Sequence, residues 1–129
     1  MLNLKEIISL PHGLSVKEES GILHIYVTGD RTLDVAFTVV SDMAAACIEH
    51  QCKKVLVDTR DMTGRLETME QYDFPKEVPE EFKKIKIAAI DTEEDKNIWR
   101  FFETSARNHG YNMRTFTDVD AAKKWLLHF

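Results

Sequence analysis

Two short apolar runs constrain this chain more than any other feature. Val55-Leu56-Val57 and Ile87-Ala88-Ala89-Ile90 are continuous rather than alternating, and each leads into an aspartate, Asp58 and Asp91. A strand that is apolar at every position needs cover on both faces, and a parallel sheet with helices on either side supplies it. The neighbouring segments fit that frame. Leu14 to Lys17 and Ile22 to Thr28 read as strands joined by a turn at Glu19-Ser20-Gly21, hence a hairpin. In the second, Leu23, Ile25 and Val27 alternate with His24, Tyr26 and Thr28, so one face is the better buried. Thr32 reads as an N-cap, followed by a helix whose apolar stripe runs Leu33, Phe37, Val40, Ala44 and Cys47. Thr92 reads as the cap of a helix reaching about Asn108, with Ile98, Phe102, Ala106 and His109 on one face and Gly110 as its stop. Asn112 to Thr117 alternates and reads as an edge strand. Asp118 then caps a last helix with a stripe of Val119, Ala122, Leu126 and Phe129.

The order ββαβαβαβα implies an α/β domain: a five-stranded mixed sheet, mostly parallel, with an N-terminal β-hairpin and about four helices. The 129 residues read as a single domain, 1–129, large enough to bury a core without disulfides or metal. The stretch from Thr59 to Lys84 is the least regular. Arg65 to Tyr72 has helical character, Phe74-Pro75 is expected to end that helix, and Pro79-Glu80-Glu81 reads as a second short helix start.

A net charge of −5 argues against non-specific nucleic-acid binding, which needs basic residues to displace counterions. The basic pairs Lys53-Lys54, Lys83-Lys84 and Lys123-Lys124 fall at three separate element ends and form no stripe. Charge interrupts the first residues too early for a signal peptide, and no apolar run reaches membrane-spanning length. Cys47 and Cys52 are five apart and form no redox pair, so they read as reduced thiols in a cytoplasm.

The chemistry-bearing residues are few. Four predicted strands end in an aspartate: Asp30, Asp58, Asp91 and Asp118. At the shared C-terminal edge of an open sheet these could form an acidic cation site, but capping of the following helices explains them without a ligand. The loop Asp58-Thr59-Arg60-Asp61-Met62-Thr63-Gly64 is the most polar and follows a buried strand. Arg60 there could hold a carboxylate or phosphate; the competing reading is a cap at Asp58, a surface pair between Arg60 and Asp61, and a turn at Gly64. Cys47 and His50, with Cys52 nearby, are too few and too variously directed for a zinc site. No serine sits in a nucleophile elbow, and there is no GxGxxG or P-loop. The expectation is a non-enzyme without a cofactor. Met62, Leu66, Met69, Tyr72, Phe74, Val78 and Phe82 crowd the irregular middle and suit either a pocket lining or a pliable partner surface. The acidic residues among them make that surface unattractive to anionic membranes.

Several of these segments resemble the SpoIIAA-like (STAS) family, and in particular its branch of small bacterial proteins. They are Phe101-Phe102-Glu103-Thr104, Gly110 through Asp118, Ala121-Ala122 with Trp125-Leu126, and upstream Val55-Leu56-Val57-Asp58-Thr59-Arg60. The resemblance spans roughly Leu14 onward and implies a regulatory, protein-interaction module. Antagonists of this type carry an Asp-Ser-Ser-Gly-like motif whose serine a partner kinase phosphorylates. This chain has Asp61-Met62-Thr63-Gly64, closer to the strand and without the serine, so no phosphorylation switch is expected at Thr63. The same broad fold includes lipid-binding domains of the CRAL-TRIO type, which are larger. Two readings follow. In the first, the chain recognises another protein, a second copy of itself included, through Asp58, Thr59, Arg60, Asp61, Thr63, Met69, Tyr72 and Phe74. In the second it holds a small apolar molecule or lipid beside the sheet. A deep apolar cavity under Met69, Tyr72 and Phe74 favours the second, and a flat exposed patch the first.

Overall fold

The computed structural model describes residues 13–128. Strands β1 (Gly13–Glu19) and β2 (Ile22–Asp30) form the expected antiparallel hairpin, its turn made by Ser20 and Gly21, both at positive φ. Helix α1 (Leu33–His50) starts at Thr32, whose hydroxyl accepts the Val35 N–H. Strand β3 (Lys54–Asp58) runs parallel to β2, and β5 (Lys86–Ile90) and β6 (Asn112–Phe116) add in parallel beyond it. The strand order is β1-β2-β3-β5-β6, so the two continuous apolar runs lie in the interior of the sheet and β6 at an edge. This is the mixed, mostly parallel sheet that the sequence implies, with four α-helices among the described residues.

A sixth strand was not expected. The two-residue β4 (Met62–Thr63) returns from the polar loop and pairs in parallel with the end of β2. Helix α2 (Thr68–Glu77) begins later than the sequence suggests and does not stop before Pro75. Proline lacks the N–H for the Gln71 carbonyl, yet the helix persists. Phe74 is buried there, its ring 4.8 Å from Phe37 and 6.0 Å from Phe102, and this tertiary packing overrides the local preference. Thr92 does not cap a helix through its side chain. It precedes a 3₁₀ turn (Glu93–Asp95), and its hydroxyl donates to Asp95 Oδ2 instead; α3 (Lys96–Asn108) follows. Helix α4 (Val119–Leu127) is capped by Asp118, which accepts the Ala121 N–H.

The sheet separates two apolar layers. One joins Leu23, Ile25, Val27, Val55 and Val57 to α1, α3 and the 3₁₀ turn Glu80–Lys84. The other joins Ile22, Leu56, Ala88 and Ile90 to Ala122 and Leu126 of α4. The α1 stripe is rotated from its predicted position. Val35, Val39, Met43, Ala46 and Cys47 are the buried line, while Leu33, Phe37, Val40 and Ala44 are only partly covered. So many positions of α1 are apolar that periodicity alone does not select a face. On α3 the buried anchor is Trp99, and Ile98 is exposed. Phe129, placed at the end of the α4 stripe, and the segment 1–12 lie outside the described residues. Burial pushes the Cys47 thiol up to about 11, so it is a core side chain at neutral pH.

Candidate functional site

The C-terminal ends of the parallel strands meet the loop 59–64, and here polar chemistry concentrates. Of the four strand-end aspartates, only Asp118 acts as a cap. Asp30 accepts from the Thr63 hydroxyl at 3.2 Å. Asp58 accepts from the Arg60 backbone N–H and, at 3.0 and 2.8 Å, from its Nε and Nη2. Arg60 is therefore paired with Asp58, not with Asp61. Burial pushes the Asp58 carboxyl up, but its hydrogen bonds from Arg60 prevail and hold it below the usual range. Asp61 instead receives the Tyr26 hydroxyl, and that bond pushes the phenol pKa up. Gly64 has φ +70°, and a Cβ on it would stand 2.6 Å from Asp30 Oδ1, so this turn requires glycine.

The loop is fastened from below by Arg31. Its Nη1 donates to the carbonyls of Met62 and Gly64, each at 3.1 Å, and its Nη2 to that of Thr59 at 2.8 Å. The same guanidinium lies 3.5 Å from Asp91, whose side chain is buried. Arg65 grips Asp91 with both Nη atoms at 2.7 Å and reaches Asp95 at 2.5 Å. Those bonds raise the Arg65 pKa and lower that of Asp95, whereas burial, followed by the Arg65 charge, lowers that of Arg31. Two cations thus face two anions in a closed network.

Between this network, the sheet and helices α1, α2 and α3 lies a cavity of about 220 Å³. Its walls are almost wholly apolar and include Val39, Met43, Phe74, Val78, Trp99 and Phe102. Arg31, Thr59, Arg65 and Asp91 form its polar end at the strand C-termini, and Gln71 of α2 borders it as well. Engineered apolar cavities of about 150 Å³ admit benzene, so this volume is on the scale of a small organic molecule.

The sequence-selected residues divide between the cavity and the surface beside it. Thr59 and Phe74 line the cavity; the Thr59 hydroxyl donates to the Ile90 carbonyl at 2.9 Å. Asp58, Arg60, Asp61 and Thr63 make up the loop above its polar end. Met69 and Tyr72 are 66% and 47% exposed on α2 and face away from the core, with Tyr72 edge-on to His109 and under Lys76. Sequence reasoning did not select Arg31, Arg65, Gln71 or Trp99. The partners of Arg31 and Arg65 lie far along the chain, at Thr59 and Gly64 for Arg31 and at Asp91 for Arg65, and no local spacing announces such contacts. Among the described residues no group of three or more His, Cys, Asp or Glu is placed to hold a metal ion. No described helix is long and apolar enough to cross a membrane.

No protein-family model matches the sequence, and no curated protein matches it. Solved structures do match. An anti-sigma factor antagonist from Mycobacterium paratuberculosis superposes with a TM-score of 0.59 at 9% identity, over 91% of this chain and 95% of the other. An uncharacterised DUF3478-family protein from Shewanella loihica PV-4, described as having a SpoIIAA-like fold, superposes with a TM-score of 0.58 at 17% identity, over 89% and 93%. The chain has a SpoIIAA-like, or STAS-type, fold along nearly its whole described length.

Proposed function

We propose that this chain is a non-catalytic regulatory binding module in which a small apolar molecule occupies the cavity beneath α2. The observation that carries this reading is the cavity itself. It lies under the Met- and aromatic-rich segment, it is apolar, and it ends at a rigid polar network, the combination that small-molecule sites share. Native mass spectrometry of freshly purified protein tests it. The expected spectrum contains the chain together with a small organic adduct that denaturation releases. A bare chain that also fails to take up any added apolar probe would overturn the reading.

A second activity rests on a separate observation, the exposure of Met69 and Tyr72 on the outer side of the same helix. We propose that α2 and the loop from Asp58 to Thr63 form the surface a protein partner recognises, which would let the cavity's contents influence binding. A structural neighbour is an anti-sigma factor antagonist, and an interaction role of that kind suits this surface. Arg60→Ala and Tyr72→Ala are expected to weaken partner capture in pull-downs while changing stability by no more than about 0.5 kcal/mol. The net charge of −5 argues against nucleic acid as the partner. The free thiols of Cys47 and Cys52 suit a reducing compartment such as the cytoplasm.

A further inference from the structure

The polar end of the cavity is neutral by its own construction. Arg31 and Arg65 bring two positive charges there, and Asp91 and Asp95 answer them with two negative ones. Asp91 is the centre of the arrangement. It lines the cavity, is 5% exposed, and has both carboxylate oxygens occupied. Oδ1 accepts from Arg65 Nη2 and from the Thr92 backbone N–H, each at 2.7 Å, and Oδ2 accepts from Arg65 Nη1 at 2.7 Å. Arg31 Nη2 stands 3.5 Å from Oδ1, and the Arg31 donors also serve three backbone carbonyls. Two arginines converging on one carboxylate is how an anionic ligand would be held. Here a carboxylate of the chain itself fills that place. A second one, brought in by a ligand, would find those donors occupied. It would also add an uncompensated negative charge beside Asp91 in an almost wholly apolar enclosure, where unpaired charge is costly.

We infer that Asp91 sets the charge specificity of the cavity: it stands where a ligand's carboxylate would be held, so the cavity takes uncharged apolar molecules and rejects anions of the fatty-acid type. The inference rests on the cavity being a binding site, and it names the residue that decides which ligands enter. Its converse is specific. Asp91→Ala removes one carboxylate group and nothing else from the polar end. Both guanidinium groups then remain at the cavity with Asp95 as their single counter-ion, and the vacated place has the size and charge for the carboxylate of a ligand.

Calorimetric titration of the full chain with octanol and octanoate at neutral pH tests this. The two probes have the same carbon chain and differ in charge. The unaltered protein is expected to bind octanol about tenfold more tightly than octanoate or better. In Asp91→Ala the order is expected to reverse. Octanoate is also expected to raise the melting temperature of the variant and to leave that of the unaltered protein where it is, because a ligand stabilises only the state that binds it. Octanoate binding as tight as that of octanol in the unaltered protein, or a preference for octanol that survives Asp91→Ala, would each overturn the inference while leaving the cavity a binding site. Failure of both probes to bind the unaltered protein would remove the cavity reading and this inference with it. Should Asp91→Ala not fold, the comparison of octanol with octanoate on the unaltered protein still decides.

Discussion

Among the described residues, α4 covers one face of the sheet by itself, and α1, α2 and α3 share the other, yet the cavity lies under the three. The difference traces to how each cover is fixed. Helix α4 is held at its start by Asp118 and at its end by Lys86, whose ammonium donates to the carbonyls of Trp125 and His128 and lies 4.5 Å over the Trp125 ring. Its Ala122 and Leu126 are fully buried against Ala88 and Ile90. Helix α2 is short, contains Pro75, and contributes only Gln71, Phe74 and Pro75 to the interior. Single, well-anchored cover lets side chains interdigitate. Cover assembled from three helices and a loop leaves space where they meet. One face is therefore closely packed, and the other retains a cavity.

The largest effect is expected at the network that holds the open face together. Asp91→Ala would strand Arg31 and Arg65 without their buried counter-ion, and breaking such a pair costs about 3 kcal/mol or more. Urea denaturation reads it, and a loss below about 1 kcal/mol would show that the network does not hold the loop. On the packed face, Leu126→Ala is expected to cost about 3 kcal/mol by the same measurement, since a fully buried leucine leaves both lost transfer energy and a void.

The sharpest version of the comparison uses neighbours in one strand. Ala88 and Ala89 of β5 point to opposite faces, Ala88 into the α4 layer and Ala89 to the cavity wall. Ala88→Val is expected to overpack and cost about 1–3 kcal/mol. Ala89→Val has room, and its melting temperature is expected to stay at or above that of the unaltered protein. Equal losses at both positions would mean the two faces are packed alike.

The smallest effect is in pH dependence. His24 lies on β2, and burial, then the charge of Lys123 on α4, holds its pKa below the usual 6.5. The unfolded chain then takes up this proton at a higher pH than the folded one, so stability declines as pH falls through about 6.5 and levels off below the folded value. A proton-NMR titration of His24 with a midpoint above 6.5 would contradict this sign.

Much of this was legible in the sequence because the signals are local. The hairpin turn at Ser20-Gly21, the caps at Thr32 and Asp118 and the two apolar runs each depend on a few adjacent residues. What escaped depends on distant partners. Strand β4 is two residues long and exists because Arg31 and the end of β2 hold it. Pro75 continues a helix because Phe37 and Phe102 clasp Phe74. The irregular stretch after Asp58 and the apolar character of Phe74 and Val78 are likewise local signals, and both residues line the cavity. The residues that give the cavity its polar end, Arg31 and Arg65, became visible only when the chain was folded.

The central claim is that the cavity beneath α2 is a binding site, and filling it tests this most directly. Ala89→Leu places a larger apolar side chain at the cavity wall. Calorimetric titration with octanol is expected to show binding at a single site in the unaltered protein. The Ala89→Leu variant, melting no lower, is expected to show none. Octanol binding of equal strength in both proteins would contradict the account and put the site elsewhere.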